Sequence, residues 1–486
     1  MNTTLASAIA LALLASANAH AQQQQTTDQD NKVSATTLDN VVVTGTRTPR
    51  SVDRIPGAVS IISLQDVTTS LSLTEDATAV LTRTIPGYSE STQALTNSGE
   101  TLRGRIALRL FDGIPQTSPL RETNRAGSFT DLGVIGRIEV VNGPSAAEGV
   151  GAAGGIINYI SKTPAEGTHT SISSRYSTQG RDDSDGWKVG LTFGHKEDAY
   201  DLLLATSFVD RGMAHDANGR KIGMRGSGTI NDSESKNLFL KLGTNFGQAD
   251  MQRLQASISR FNLTGKGNYT GIEGDRANNL TSTSIAGTPL GAKTEFNDFN
   301  QMSLSYSHAD FFGGTLLADA YRADQAMRYP AENGSDKQDP LFAPLGQLVD
   351  QSEVNSAKRG VRTSWTRGGL FNVEGLELRA GVDVVKDLTD QRLALTNRVW
   401  VPPMQYKSTA PYAQLSWDVG ALTLSGGLRR EDGELSVDTF TTTYYNNRVQ
   451  VEGGKLDYKA ELPNLGMVYR FTDQLSAYAS YSEGFS

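Results

Sequence analysis

The sequence has no cysteine in its 486 residues, which excludes disulfides, thiolate metal sites and cysteine nucleophiles and suits a chain that passes through an oxidising compartment. Histidine is almost as scarce. The five residues, at 20, 169, 195, 215 and 308, include no two spaced as a local metal-binding pair. Beyond the N-terminus no apolar run approaches the roughly 20 residues of a transmembrane helix. Hydrophobic residues make up only 37% of the chain, so any membrane crossing falls to strands, in which every second residue can face a polar lumen. A strong charge of one sign is lacking as well. The formal net charge is −8, with Lys and Arg scattered along the chain, which argues against nucleic acid as a partner.

What is present begins with an export signal. Leu5 to Ala17 is apolar, and Ala19-His20-Ala21 has the small-x-small form of a signal-peptidase site, so 1–21 reads as a signal cleaved before Gln22. Its first residues, Met1 to Ser7, carry no Lys or Arg, leaving the α-amino group as the only positive charge. The polar run Gln22 to Asn31 reads as a flexible tether. Leu38 to Arg47 follows, a β-branched run in polar surroundings that can add as a strand to another protein's sheet edge.

From Ile55 to Lys162 the pattern is one of short strands, turns and a helix. Val59 to Ile62 reads as a strand after Pro56-Gly57, and Thr74 to Leu81 as a helix capped by Ser72 or Thr74 and closed by Ile85-Pro86-Gly87-Tyr88. Further blocks are Leu102-Arg103-Gly104-Arg105, Leu108 to Pro115 with Asp112-Gly113 inside it, and Arg137-Ile138-Glu139-Val140-Val141-Asn142-Gly143-Pro144-Ser145. Gly149 to Gly154 matches the dinucleotide fingerprint G-x-G-x-x-G. A nucleotide fold would need a helix opening at these glycines, whereas Ile156 to Ile160 is β-branched and aromatic and Pro164 follows. Tight backbone turning is the better reading.

From His169 onward apolar and polar residues alternate. Trp187, Val189, Leu191 and Phe193 fall on one face and Lys188, Gly190, Thr192 and Gly194 on the other; Leu238, Leu240 and Leu242 oppose Phe239, Lys241 and Gly243. Similar runs follow at Leu376 to Val384, Ala413 to Val419 and Leu475 to Tyr481, each about the 9 to 11 residues of a tilted membrane strand. Tight turns at Lys196 to Asp198, Gly247 to Asp250, Asp310 to Gly314, Gly420 and Thr472-Asp473 alternate with long polar segments at Gly212 to Ser233, Leu263 to Asp298, Arg328 to Gln351, Thr389 to Tyr406 and Asp432 to Gly454. That alternation is expected of a barrel with one inner and one outer end, and a soluble sandwich or propeller gives no reason for it. Counted this way the chain supplies about 13 strands, against about 22 in plugged outer-membrane transporters, so an incomplete barrel ending at Ser486 is expected.

The colinear blocks from Pro86 to Ser145, followed by a strand-rich remainder, resemble the plug and barrel of the TonB-dependent outer-membrane receptors. The resemblance implies an all-β membrane protein, an antiparallel outer-membrane β-barrel with a small N-terminal α+β plug in its lumen. The expected divisions are signal peptide 1–21, tether 22–50 with a TonB box at about 38–47, plug 51–165 and partial barrel 166–486. It assigns coupling to Leu38, Asp39, Asn40, Val41, Val42, Val43 and Thr44, and plug–barrel contacts to Arg103, Arg137 and Glu139. Asn142 stands where the family usually carries Arg, and Arg137 or Arg109 is the candidate to replace that charge. Thr96, Asn97, Arg121, Asn124 and Arg125 are the expected ligand-binding residues at the plug apex, and Tyr269, Tyr329, Trp400, Tyr406, Tyr444 and Tyr445 are loop aromatics suited to stacking.

The implied function is active, non-enzymatic import of a scarce, bulky ligand, a ferric siderophore first and vitamin B12, haem or a saccharide as alternatives. The implied partners are a TonB-type energy-coupling protein, outer-membrane lipid and the chelate. No cofactor is expected to be held permanently, and ferric iron enters only as part of the cargo. A secreted β-rich hydrolase would need an acid–base pair in a pocket, and a passive porin or adhesin would need neither box nor plug.

Overall fold

The computed structural model describes residues 42–43, 50–51, 54–74, 77–91, 95–96, 99–116, 120, 130–143, 149, 151–223, 229–472 and 475–484. The plug holds a five-stranded sheet of β1 (Val59–Ile62), β2 (Leu108–Phe111), β3 (Ile114–Pro115), β4 (Ile135–Asn142) and β5 (Gly155–Ser161), in the spatial order β1-β4-β5-β2-β3. β5 runs antiparallel to β4 and parallel to β2. Asp112 and Gly113 both have positive φ, 47° and 79°, the two-residue geometry that returns β2 into β3 with the twist of a hairpin.

Among the described residues, two helices precede β2. α1 (Leu64–Leu71) is opened by a capping box in which Ser63 accepts from the Asp66 N–H and Asp66 accepts from Ser63. α2 runs Ala77–Thr84. The helix expected at Thr74 to Leu81 is therefore displaced and a second one precedes it. Ser72 and Thr74 close α1, donating their N–H groups to Thr68 O and Ser70 O. No helix follows the glycines at 149–154. Gly149 and Gly151 have φ of 76° and 91°, and a Cβ on Gly154 would lie 2.2 Å from Ile106 O. These residues let the chain pass tightly into β5, which removes the nucleotide reading.

The wall is a single 13-stranded antiparallel sheet whose strands pair in sequence order: β6 (Gly167–Ser177), β7 (Gly186–Lys196), β8 (Tyr200–Arg211), β9 (Ser233–Phe246), β10 (Gln252–Gly265), β11 (Phe296–Phe311), β12 (Gly314–Arg328), β13 (Ser352–Gly368), β14 (Leu376–Leu393), β15 (Arg398–Val419), β16 (Leu422–Val437), β17 (Gly454–Thr472) and β18 (Leu475–Ser482). β6 and β18 are not paired with each other, so the barrel is not closed. Burial is inverted relative to a soluble sheet. Trp187, Val189, Leu238 and Leu242 are exposed, whereas the intervening Lys188, Asn237, Phe239 and Lys241 are buried against the plug side. Apolar side chains outward and polar ones inward are what a lipid-facing wall requires.

One expected long loop is absent. Thr389 to Tyr406 lies mostly within β14 and β15, joined by residues 394–397. Within it, Pro402-Pro403 is accommodated where the register steps from Thr389↔Met404 to Gln391↔Val401, a bulge that relieves two prolines of ladder donation. The strands also outrun 9 to 11 residues, β15 reaching 22, because their polar outer ends continue the ladder. At one end of the sheet the connections are 197–199, 247–251, 312–313, 369–375 and 420–421; at the other they include 212–232, 266–295, 329–351 and 438–453.

Candidate functional site

The plug core continues into the wall. Ile62, Leu81, Phe111, Ile138, Val140 and Tyr159 share one apolar cluster with Leu203, Ala205 and Phe239 of β8 and β9, and the rings of Phe111 and Phe239 meet edge to face at 5.5 Å. Around this apolar seam lie polar ties. Asp131, which caps the turn Leu132–Val134, faces Lys188 of β7 at 3.2 Å and accepts from Ser207 Oγ of β8 and, at 2.7 Å, from the Gly133 N–H. Burial by itself would raise the Asp131 carboxyl; Lys188 and the two hydrogen bonds outweigh it and hold it below the usual carboxylate range. Lys162 donates to Gly133 O at 2.7 Å.

A second tie runs from Lys241 of β9, which donates to Ser161 Oγ at 2.6 Å, while Ser161 donates on to Asp112 Oδ2 at 2.7 Å. Arg362 of β13 donates to Gly113 O at the tip of the β2–β3 hairpin. Asn297 of β11 donates to Leu95 O at 2.8 Å, and Arg54 pairs with Asp418 of β15 at 2.9 Å. Further round, the Arg429 guanidinium on β16 is held by Asp383 at 2.7 Å and Glu431 at 3.0 Å. It lies so close to the plug that a Cβ on Gly149 would be 2.8 Å from its Nη2. These wall carboxylates are thus neutralised by an arginine of the wall itself.

The expected site residues fall as follows. Val42–Val43 pairs with Arg50–Ser51 as a two-residue ladder; Leu38, Asp39, Asn40, Val41 and Thr44 lie outside the described residues. Arg103 is exposed at φ 52° in a plug turn, with its N–H donating to Gly87 O. Arg137 pairs with Glu139 at 2.7 Å along β4, Glu139 being fully buried. Arg109 lies 3.4 Å from Glu100, which also accepts from Tyr88 at 2.9 Å. The structure thus gives the Arg109 and Arg137 side chains carboxylate partners inside the plug. Asn142 donates to Ala58 O. Thr96 is buried beside Leu95, and Asn97, Arg121, Asn124 and Arg125 lie outside the described residues.

Most of the expected loop aromatics have protein partners. Tyr269 donates to Asp183 at 2.8 Å, and burial together with that carboxylate pushes its hydroxyl up to about 12. Asp183 also meets His215 at 3.2 Å and Lys221 at 3.1 Å, so it joins three outer connections. Trp400 lies under Lys337, 5.0 Å to the ring, and Tyr444 under Arg448 at 5.0 Å. Tyr406 stacks on Tyr458, Tyr329 is buried in a small cluster with Met327 and Val354, and Tyr445 is exposed. Asp339 binds Arg398 at 3.4 Å and Arg448, while Asp350 binds Arg398 at 3.1 Å and accepts from the Leu395 N–H and Thr396 Oγ1, which fastens the 329–351 connection to 394–397, the start of β15 and 438–453.

Sequence reading missed Asp131, Lys188, Ser207, Lys241, Arg362 and Arg429. The signal available was a cation at a lumen position of an apolar-flanked strand, as in Trp187-Lys188-Val189 and Leu240-Lys241-Leu242.

A plug sheet packed against the inner face of an antiparallel wall with a lipid-type outer face defines a plugged outer-membrane receptor. Residues 51–156 match the family model for the TonB-dependent receptor plug domain and residues 167–486 that for the TonB-dependent receptor-like β-barrel. The chain belongs to the TonB-dependent receptors, which places it in the bacterial outer membrane. It is 24% identical to the rhizobactin receptor of Rhizobium meliloti (strain 1021) over 93% of its length, and 25% identical to the ferric aerobactin receptor of Klebsiella pneumoniae over 92%. The chain spans 64% of the length of each of these relatives. Among solved structures, the alcaligin outer-membrane receptor FauA from Bordetella pertussis matches with a TM-score of 0.63 at 17% identity, covering 90% of this chain and 64% of that one.

Proposed function

We propose that the protein imports a ferric siderophore across the outer membrane, driven by a TonB-type coupling protein that pulls on Leu38 to Thr44. The observation that carries this reading is the plug itself, seated in the wall by polar ties from β7, β8, β9, β11, β13 and β15. A lumen blocked in this way passes nothing bulky unless work is done on the plug. The outer membrane holds no ion gradient to supply that work, so it arrives through a pulled segment. The curated relatives, receptors for rhizobactin and ferric aerobactin, favour an iron chelate as cargo. The chain performs no covalent chemistry on it: the wall and outer loops bind, the plug excludes, and the tether transmits force.

The test is growth of an iron-starved host that lacks its own siderophore receptors but has its coupling system and inner-membrane transport intact. Expression of the protein is expected to restore growth on at least one ferric siderophore, with ferric aerobactin tried first. Restoration by haem or vitamin B12 alone would reject the siderophore assignment.

A further inference from the structure

The outer connections 266–295 and 329–351 enclose a cavity of about 510 Å3. Glu295 lines it, yet is only 7% exposed. Its carboxyl packs over Gly265, where an added Cβ would meet the Glu295 Cδ at 2.6 Å, and its Oε1 is buried with no hydrogen-bond partner. An unsatisfied buried carboxyl oxygen carries a desolvation cost that a donor would remove. Burial raises this carboxyl above its ordinary range, and nearby Asp232 adds to the rise.

Two further carboxylates line the cavity: Glu273 is exposed there, and Glu332, on the other side, is paired with Lys337 Nζ. Lys293 also lines it, but its Nζ donates outward to Ala394 O at 3.4 Å. Among the described residues no three acidic or imidazole side chains stand close enough to share one metal ion. The carboxylates therefore suit a molecule that reaches them one at a time.

We propose that this cavity is a binding site for an amine-bearing ligand segment, whose ammonium group donates to Glu295 Oε1 and is drawn in by Glu273. Small hydroxyls at Thr270, Ser282 and Thr288 line the same space and accept the remaining ammonium hydrogens. The site involves neither iron nor the pulled segment, so it stands whether or not the siderophore reading does.

The test is titration of the purified full chain in detergent with cadaverine, followed calorimetrically. Saturable binding is expected, weakened about tenfold or more by Glu295→Gln, the loss of one charge-assisted hydrogen bond. Ala292→Trp, which fills the cavity and leaves the carboxyl in place, is expected to abolish it and decides the matter if Glu295→Gln does not fold. No saturable binding by the wild type, or an affinity that the folded variants leave unchanged, would overturn the proposal.

Discussion

Lys188 on β7 and Asp131 on the plug stand 3.2 Å apart, Nζ to Oδ1, with side chains only 10% and 6% exposed. Removing one member of such a pair leaves the other charge buried and uncompensated, a cost of about 3–5 kcal/mol. Lys188→Met is therefore expected to lower the force at which the plug unfolds when pulled from its N-terminal side, and adding Asp131→Asn is expected to recover much of the loss. Single-molecule pulling on the two single variants and the double variant measures that coupling.

The same pair sets a pH dependence. Asp131 is depressed in the folded protein, so its contribution is complete above the ordinary carboxyl value of about 3.9 and is lost as pH falls through the lower folded value. Plug stability in the wild type is expected to decline below about pH 4, and in Asp131→Asn to decline less steeply. Denaturant midpoints across that range compare them.

Glycines that look alike in sequence should differ in tolerance. A Cβ on Gly154 would sit 2.2 Å from Ile106 O, whereas at Gly104 nothing lies within 4 Å and only the φ of 76° opposes a side chain. Gly104→Ala is expected to cost about 1–2 kcal/mol. Gly154→Ala is expected to cost more, because backbone must shift, and to leave a plug that is digested in intact outer membranes. Limited proteolysis of the two variants distinguishes strain from collision.

Much of this was legible in the chain because a membrane wall writes a period of two. Leu238 and Leu242 against Phe239 and Lys241 gave the two faces directly, and the ordered blocks from Pro86 to Ser145 gave the plug. The ties between them were not legible, since Asp131 and Lys188 are 57 residues apart and meet only through the curvature of the wall. The segment Thr389 to Tyr406 reads as a connection because it is polar, yet it is mostly strand, and the bulge that seats Pro402-Pro403 in the ladder depends on the partner strand. Ser63-Leu64-Gln65-Asp66 carried a helix start in plain view, but Asp in place of the usual Glu or Gln weakened the signal.

Outer-loop closure rests on Arg398, which binds both Asp339 and Asp350. Arg398→Ala is expected to release the 329–351 connection and raise its cleavage by protease added to whole cells several-fold, while the plug stays protected. Equal cleavage of wild type and variant would show that the latch is not needed to hold the loop.

The central claim is that transport needs a pull on the segment before the plug. Labelled ferric siderophore should be followed in cells expressing either the intact protein or one lacking residues 39–44, with and without a protonophore. Binding at the surface is expected to be equal in both, and accumulation to require both the segment and the proton gradient. Accumulation at the intact rate after the deletion, or with the gradient collapsed, would contradict energised import.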